Sequence, residues 1–360
     1  MIEHFLDNDL YKFTMQQAVL QLYPTVEAEY VFINRGGTVF PDGFAAVLRN
    51  KLEGFRGMGL TTRGRAFMGG LFSPSYLDYL SKYRYDPDEV SISQVGGELF
   101  LSISGLWSRT ILWEVPLMAL ISELYHEGTT PQPLVDKDFG GAKFADFGTR
   151  RRYSQDNHIN IVAHAKRHPN FLGTSNVLLA MLNNCKVVGT QAHEWFMFHG
   201  AVYGYKSTVA LDQWVGIYKG MLGIALTDTY TTDAFLRTFD GRLARLYDGV
   251  RQDSGDPLVF VDKMISHYSS LGIDPRTKRV VFSDGLDQSK IAKIHKYCDN
   301  RVLDSYGIGT NLTNDVGVKP LNMVIKLRKV DGLDCVKLSD DEGKNTGSII
   351  AIKGCYDQLL

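Results

Sequence analysis

The 360-residue chain lacks the marks of several large protein classes. Its four cysteines, Cys185, Cys298, Cys335 and Cys355, include no CxxC pair. That argues against a disulfide framework or a cysteine-rich zinc site, and fits plain thiols in a reducing compartment. Neither sign of charge dominates: Lys+Arg of 39 against Asp+Glu of 40 leaves a formal charge of -1. No global field therefore draws nucleic acid or an acidic membrane, and any phosphate chemistry must be local. No apolar run approaches a membrane span, and no basic-then-apolar segment opens the chain, so the sequence reads as cytoplasmic. Gly307-Ile308-Gly309-Thr310 lacks the third glycine of a dinucleotide fingerprint, and neither a P-loop lysine nor a G-x-S-x-G elbow is found. His193 and His199 are six apart rather than the four a zincin helix needs. His164 and His168 are four apart but have no acid in the zincin arrangement, and read as a solvated helix face.

What is there suits a two-domain α/β protein. At 44% hydrophobic and 22% charged, the chain can bury a large core. Residues 9–23 have helical spacing, 26–32 alternate as a half-covered strand, 42–55 and 73–83 read as capped helices, and 110–126 as a long apolar-faced helix. Pro131-Gln132-Pro133 is the linker candidate. The expected division is an N-terminal α/β domain over 1–135, rejoined by C-terminal strands in 334–360, and a barrel-like domain over 136–333. The tail reads as a hairpin, with strands at 322–327 and 334–338 joined by a Lys-Val-Asp-Gly turn.

From Phe144 to Thr310, seven short apolar segments each run into a turn of small, hydroxylated or charged residues. The turns are Asp146-Phe147-Gly148-Thr149-Arg150, Gly173-Thr174-Ser175, Gly189-Thr190-Gln191-Ala192-His193, Thr227-Asp228, Arg251-Gln252-Asp253-Ser254-Gly255, Ser283-Asp284-Gly285 and Tyr306-Gly307-Ile308-Gly309-Thr310. A spacing of roughly 15 to 35 residues is that of βα crossovers, so all seven turns are expected on one rim of a βα barrel.

Arg251, Asp253, Ser254 and Gly255 combine a cation, a carboxylate, a hydroxyl and a flexible backbone after a strand. They can position a charged sugar with its diphosphate or magnesium, or simply form a solvated turn with a capping Asp. Asp284 and Gly285 precede a helix, and Gly307 and Gly309 follow the next strand; together these turns suit a sugar 5-phosphate. Phe147 beside Gly148, with Arg150 following, can stack a flat ring and hold an anion, or be a core phenylalanine at a basic helix start. His193 on its own is more often a satisfied structural residue than a catalytic one.

The motifs Asp7-Asn8-Asp9-Leu10-Tyr11-Lys12, Asp146-Phe147-Gly148-Thr149-Arg150-Arg151-Arg152, Gly173-Thr174-Ser175-Asn176, Gly189-Thr190-Gln191-Ala192-His193-Glu194-Trp195, Leu226-Thr227-Asp228-Thr229-Tyr230 and Arg251-Gln252-Asp253-Ser254-Gly255-Asp256 resemble, in family order, those of nicotinate phosphoribosyltransferases. The resemblance implies the type II phosphoribosyltransferase fold, an irregular TIM-like βα barrel with an N-terminal α/β domain. It implies formation of nicotinate mononucleotide and diphosphate from nicotinate and 5-phosphoribosyl-1-diphosphate, in salvage synthesis of NAD. Magnesium is implied near Asp228 and Asp253, with Arg251 on the diphosphate side. ATP is implied as co-substrate through a phosphohistidine at His193. A homodimer is implied whose sites borrow Asp9 and Tyr11 from the partner, with Tyr11 and Phe147 sandwiching the ring. The position of Ser175 is an aspartate in the related nicotinamide enzyme, and serine can donate to nicotinate's carboxylate where aspartate would repel it. The alternatives are a nicotinamide phosphoribosyltransferase, another phosphate-binding barrel enzyme such as an aldolase or isomerase, and a non-catalytic metabolite-binding barrel.

Overall fold

The computed structural model describes residues 2–133, 136–341 and 343–359. Two sheets organise it. The first has five strands, β1 (Glu27–Asn34), β2 (Val90–Val95), β3 (Glu98–Leu106), β10 (Met323–Val330) and β11 (Leu333–Asp334), in the order β11-β10-β1-β3-β2. Its named pairs are antiparallel. The second is parallel: β4 (Phe144–Asp146), β5 (Phe171–Thr174), β6 (Ile224–Leu226), β7 (Gly249–Gln252), β8 (Arg279–Phe282) and β9 (Leu303–Ile308), in the order β5-β4-β9-β8-β7-β6.

The barrel is α/β and irregular, as expected, and the irregularity has a location. Of the seven strand positions, the third is reduced to a bridge between Thr174 and Val187. There the Thr174 amide donates to the Lys186 carbonyl at 3.2 Å and the Val188 amide to the Thr174 carbonyl at 2.9 Å. Thr190 Oγ1 then donates to the Ile224 carbonyl of β6 at 3.3 Å, so this extended segment spans the gap between the two edge strands. A Cβ on Gly173 would lie 2.0 Å from the Lys186 carbonyl oxygen, and Gly173 has φ +136°; only glycine allows that approach.

The N-terminal elements follow local chemistry. Ser73 caps the helix Pro74–Lys82, its side chain accepting from the Tyr76 amide, with proline in the first turn. The long apolar helix expected at 110–126 is instead two, Trp107–Thr110 and Glu114–His126. Pro116 explains the break: its ring would strike the carbonyl of residue 112 in a continuous helix, and it is tolerated in a first turn.

The tail differs from expectation. The strand that returns to the N-terminal sheet is β10, inside the range assigned to the barrel; it pairs with β1 from Ala28↔Val330 to Asn34↔Met323. The expected strands of 334–360 amount to β11 and a helix, Ile349–Leu359. The hairpin turn is real, with Asp331 at φ +45° and Gly332 at φ +79°, the left-handed pair of a two-residue turn. Beyond Asp334, Val336 and Leu338 pack with Cys355 in a small separate apolar cluster, and Lys337 between them keeps only an isolated antiparallel bridge to Thr346. The expected boundary after residue 135 lies outside the described residues; Gln132 just before it is tied to the barrel, its amide donating to the Val316 carbonyl at 2.8 Å. No helix among the described residues is long and apolar enough to cross a membrane.

Candidate active site

The carboxyl ends of the parallel strands converge, and the motifs singled out in the sequence turn out to be partners of one another. Asp7 receives both terminal nitrogens of Arg152 at 2.7 Å and the Asn176 amide nitrogen at 2.7 Å. Arg152 and Asp7 are fully buried, a bidentate ion pair with Glu123 as a third member. Asp146 spans the next turn: it accepts from the Gly148 amide at 2.9 Å, from Thr174 Oγ1 at 2.6 Å and from His158 Nε2 at 2.6 Å. Burial would raise this carboxyl, but His158 and the hydrogen bonds hold it below the usual range.

Asp9 accepts from Thr149 Oγ1 at 2.7 Å and from Ser175 Oγ at 2.8 Å. Its carboxyl is nevertheless raised, because burial outweighs those bonds and the charge of Arg150. Tyr11 follows on the helix Leu10–Leu22, with Arg150 5.9 Å from its ring centroid and its hydroxyl buried without a partner. Phe147 lies against Gly307, where a Cβ would come within 2.2 Å of the ring. Gly307 thus makes room for an aromatic face. Asp9, Tyr11, Phe147, Arg150, Ser175 and Gly307 all line one cavity of about 780 Å³.

Within one chain, Asp9 and Tyr11 line the same cavity as Phe147 and Ser175. The reason is a backbone tie: the Leu10 amide donates to the Ser175 carbonyl at 2.8 Å and the Val177 amide to the Asn8 carbonyl at 2.9 Å. The hydroxyl proton of Ser175 is engaged by Asp9.

Arg251 lines the same cavity and joins it to a second, more polar group. Its Nε is buried without a partner, and its terminal nitrogen reaches the Gln191 carbonyl at 3.5 Å. Beyond it, His193 Nε2 lies 3.0 Å from Asp253 Oδ2 and 4.0 Å from Asp228 Oδ1, while Nδ1 lies 3.1 Å from Thr229 Oγ1. His193 opens the helix His193–Tyr203. Burial, aided by the charge of Lys337, pushes its pKa well below the ordinary value, so the imidazole is neutral near pH 7. Burial pushes Asp228 up to about 6, with Asp253 adding to the rise and Lys337 opposing it. For Asp253, burial acts upward too, but Arg251 and His193 overcome it and hold the carboxyl well below the usual range. Asp228 Oδ2 accepts from Ser254 Oγ at 2.5 Å, whereas Oδ1 has no hydrogen-bond partner. Ser283 Oγ donates to Asp253 at 2.6 Å, bringing the following turn into the group. Asp284 of that turn lies 3.6 Å from Lys344 and 4.0 Å from Lys290, and Gly285 takes the left-handed φ of +52°. Asn311 donates to the Leu286 carbonyl at 2.7 Å, so the turns carrying Gly285 and Gly309 are neighbours.

A metal fits part of this set. His193, Asp228 and Asp253 offer ligand atoms within 4.8 Å of one another. The partnerless oxygen of Asp228 and the carboxylate of Asp253 are the oxygen ligands a hard ion such as magnesium takes, and the imidazole is not.

Sequence reasoning missed several charged residues here. Lys12 is fully buried between Glu114 at 2.6 Å and Glu194 at 2.5 Å. Glu194 in turn accepts from Trp107 Nε1 at 2.6 Å and Tyr30 Oη at 2.5 Å. Against burial, Lys12 and Arg150 hold Glu114 down at about 2. Lys337 lies 3.7 Å from Asp228. Burial lowers Lys326 to about 7, with Lys337, Arg150 and Arg35 adding to the effect and Glu114 opposing it. The available signal was one cation inside an otherwise apolar run: Lys12 on a helix stripe, Lys326 in a strand, and Lys337 between Val336 and Leu338.

Comparison with known proteins agrees with the motif reading over the whole chain. Residues 142–358 match the nicotinate phosphoribosyltransferase (NAPRTase) family, and residues 6–122 its N-terminal domain. Nicotinate phosphoribosyltransferase of Desulforapulum autotrophicum is 51% identical, the match covering 100% of this chain and 99% of the relative. That of Chromohalobacter salexigens is 48% identical over 96% of this chain and 95% of the relative. Among solved structures, nicotinate phosphoribosyltransferase from Porphyromonas gingivalis superposes with a TM-score of 0.94 at 39% identity, covering 100% of both chains.

Proposed function

The chain belongs to the nicotinate phosphoribosyltransferase family, and from that premise we propose how its residues divide the work of transferring a 5-phosphoribosyl group to nicotinate. The reaction forms a bond between the pyridine nitrogen and ribose C1 and breaks the bond from C1 to diphosphate. The observation that carries the assignment of roles is the continuity of the site. Arg251 lines a cavity flanked by Tyr11 and Phe147, and its charge acts on Asp228 and Asp253, which form with the neutral His193 a compact polar group.

In this reading Tyr11 and Phe147 hold the flat ring, and Arg150 faces its carboxylate, in place of the Ser175 hydroxyl already used by Asp9. Arg251, with a partnerless Nε, and Lys337 and Lys326 face the diphosphate. Asp228 and Asp253 orient the ribose and hold magnesium, which when bound neutralises charge growing on the leaving diphosphate. Asp284, Gly285 and Gly309 frame the 5-phosphate, with Lys290 and Lys344 supplying nearby charge. Catalysis then rests on alignment and charge complementarity, with no covalent sugar intermediate.

His193 is proposed to attack the γ-phosphorus of ATP through an imidazole nitrogen, releasing ADP, and its phosphoryl group orders the diphosphate site before hydrolysis. A neutral ring at a helix N-terminus supports this: it offers a lone pair, and the helix end favours the added negative charge. The protein would act in NAD salvage, in the cytoplasm and as a homodimer. Lys326, a half-buried lysine of lowered pKa, is what an imine-forming aldolase would need. Its cationic surroundings, Arg35, Arg150 and Lys337, favour an anion instead.

The test is incubation with nicotinate, 5-phosphoribosyl-1-diphosphate and magnesium, with and without ATP, following nicotinate mononucleotide, beside a parallel reaction with nicotinamide. Product from nicotinamide alone would overturn the substrate assignment. Equal incorporation of the ATP γ-phosphate label by wild type and His193→Ala would overturn the phosphohistidine.

A further inference from the structure

Three side chains outside this site converge where the chain enters the barrel. His164 Nε2 and His168 Nε2 each lie 3.0 Å from the same oxygen, Asp136 Oδ1. The sequence had offered the two histidines without a nearby acid; the fold supplies one from the segment after the linker. We propose that Asp136, His164 and His168 form a surface site for a divalent transition ion of the zinc and cobalt class, with water completing the coordination.

The geometry is close to what such an ion requires. With metal–ligand bonds of about 2.0 Å, tetrahedral ligand atoms stand roughly 3.3 Å apart. The carboxylate needs to retreat by only a few tenths of an ångström, and at 65% exposure the Asp136 side chain is free to do so. The imidazoles are more restrained. His164 stands in the last turn of the helix Gln155–Ala165 and His168 three residues beyond its end, with ring centroids 5.8 Å apart, and His168 packs edge-on to Phe144 at 6.0 Å. That helix end carries partial negative charge, which favours a cation. Both histidines are about one-third exposed, so the ion has access from solvent. Each imidazole binds the ion through its Nε2 lone pair, with the ring proton on Nδ1. Two nitrogens and one carboxylate suit zinc, cobalt or nickel and not magnesium, so the hard ion proposed for the reaction does not compete. A bound ion would pin the segment at residue 136 to the helix that follows the first barrel strand. That segment is otherwise fastened by Lys137 to the Asn311 carbonyl and Asp315, and by Phe139 against Phe144 at 4.6 Å.

The test is a Co²⁺ titration of the tag-free full chain in excess Mg²⁺, followed by visible absorption and thermal melting. One saturable Co²⁺ per chain is expected, with the absorption of a four-coordinate ion and a raised melting temperature. His164→Ala and His168→Ala should each weaken it by more than the roughly 10- to 100-fold that loss of an outer-shell partner costs, and leave nicotinate transfer unchanged. The same titration on His193→Ala separates this site from the His193–Asp228–Asp253 group; the spectrum should persist. No saturable binding, unchanged affinity in the His164 and His168 variants, or a spectrum lost with His193→Ala would each overturn the proposal.

Discussion

At the ring end of the site, charge is consumed by the protein itself. Asp7 is met by Arg152 and Asn176, and Asp9 by Thr149 and Ser175, so the carboxylates beside the aromatic slot are paired within the protein. At the phosphate end, charge is held back. Asp228 Oδ1 and Arg251 Nε are buried without hydrogen-bond partners. Buried polar atoms left unpaired cost stability, so they persist where a ligand completes them. The contrast separates residues that build the site from residues that wait for substrate.

Substitutions should respect that division. The largest effect is expected from Arg152→Met at the building end: it strands Asp7 without its cation and should cost about 3 to 5 kcal/mol of stability. Chemical denaturation would register it, and a loss below about 1 kcal/mol would mean the pair is not structural. Asp228→Asn at the waiting end should do the reverse. Transfer should fall by roughly 100- to 1000-fold, with stability unchanged or improved because a buried carboxylate is gone. Parallel unfolding and rate measurements decide it, since a matching loss of stability would erase the contrast.

Tyr11→Ala and Phe147→Ala should each lose most activity while staying folded. Mixing the two should restore nothing after verified subunit exchange, because both side chains line one chain's cavity. Recovered activity would show that the slot is shared between copies. Ser175→Asp sets a second carboxylate against Asp9 and near the substrate's own. Nicotinate should weaken by on the order of 2 to 4 kcal/mol, measured by calorimetry; undiminished binding would remove this position from the slot.

The smallest expected effect is one of pH. Burial lowers Lys326 to about 7, so it is largely neutral at pH 8.5 and half charged near 7. A diphosphate ligand favours the charged form, so its affinity should rise as pH falls from 8.5 to 7, by up to about tenfold. In Lys326→Met the same titration should be flat; an unaltered slope would place Lys326 away from the anion.

The sequence carried the family, the α/β class, the run of strand-end turns and the rim residues now proposed for the site, though not its lysines, because a βα rim repeats a local pattern of apolar segment, turn and helix. It did not carry which motif meets which. That Asp7 answers Arg152, that Ser175 spends its proton on Asp9, that Gly307 yields space to Phe147, and that Asp136 finds His164 and His168 are all contacts between residues distant along the chain. The same holds for β10, which follows the barrel in sequence yet closes the N-terminal sheet, and for Lys326, which it carries into a cationic interior. Local spacing encodes the element a residue joins. Its partners, and with them burial and charge state, are settled only when packing brings separate elements to the same few ångströms.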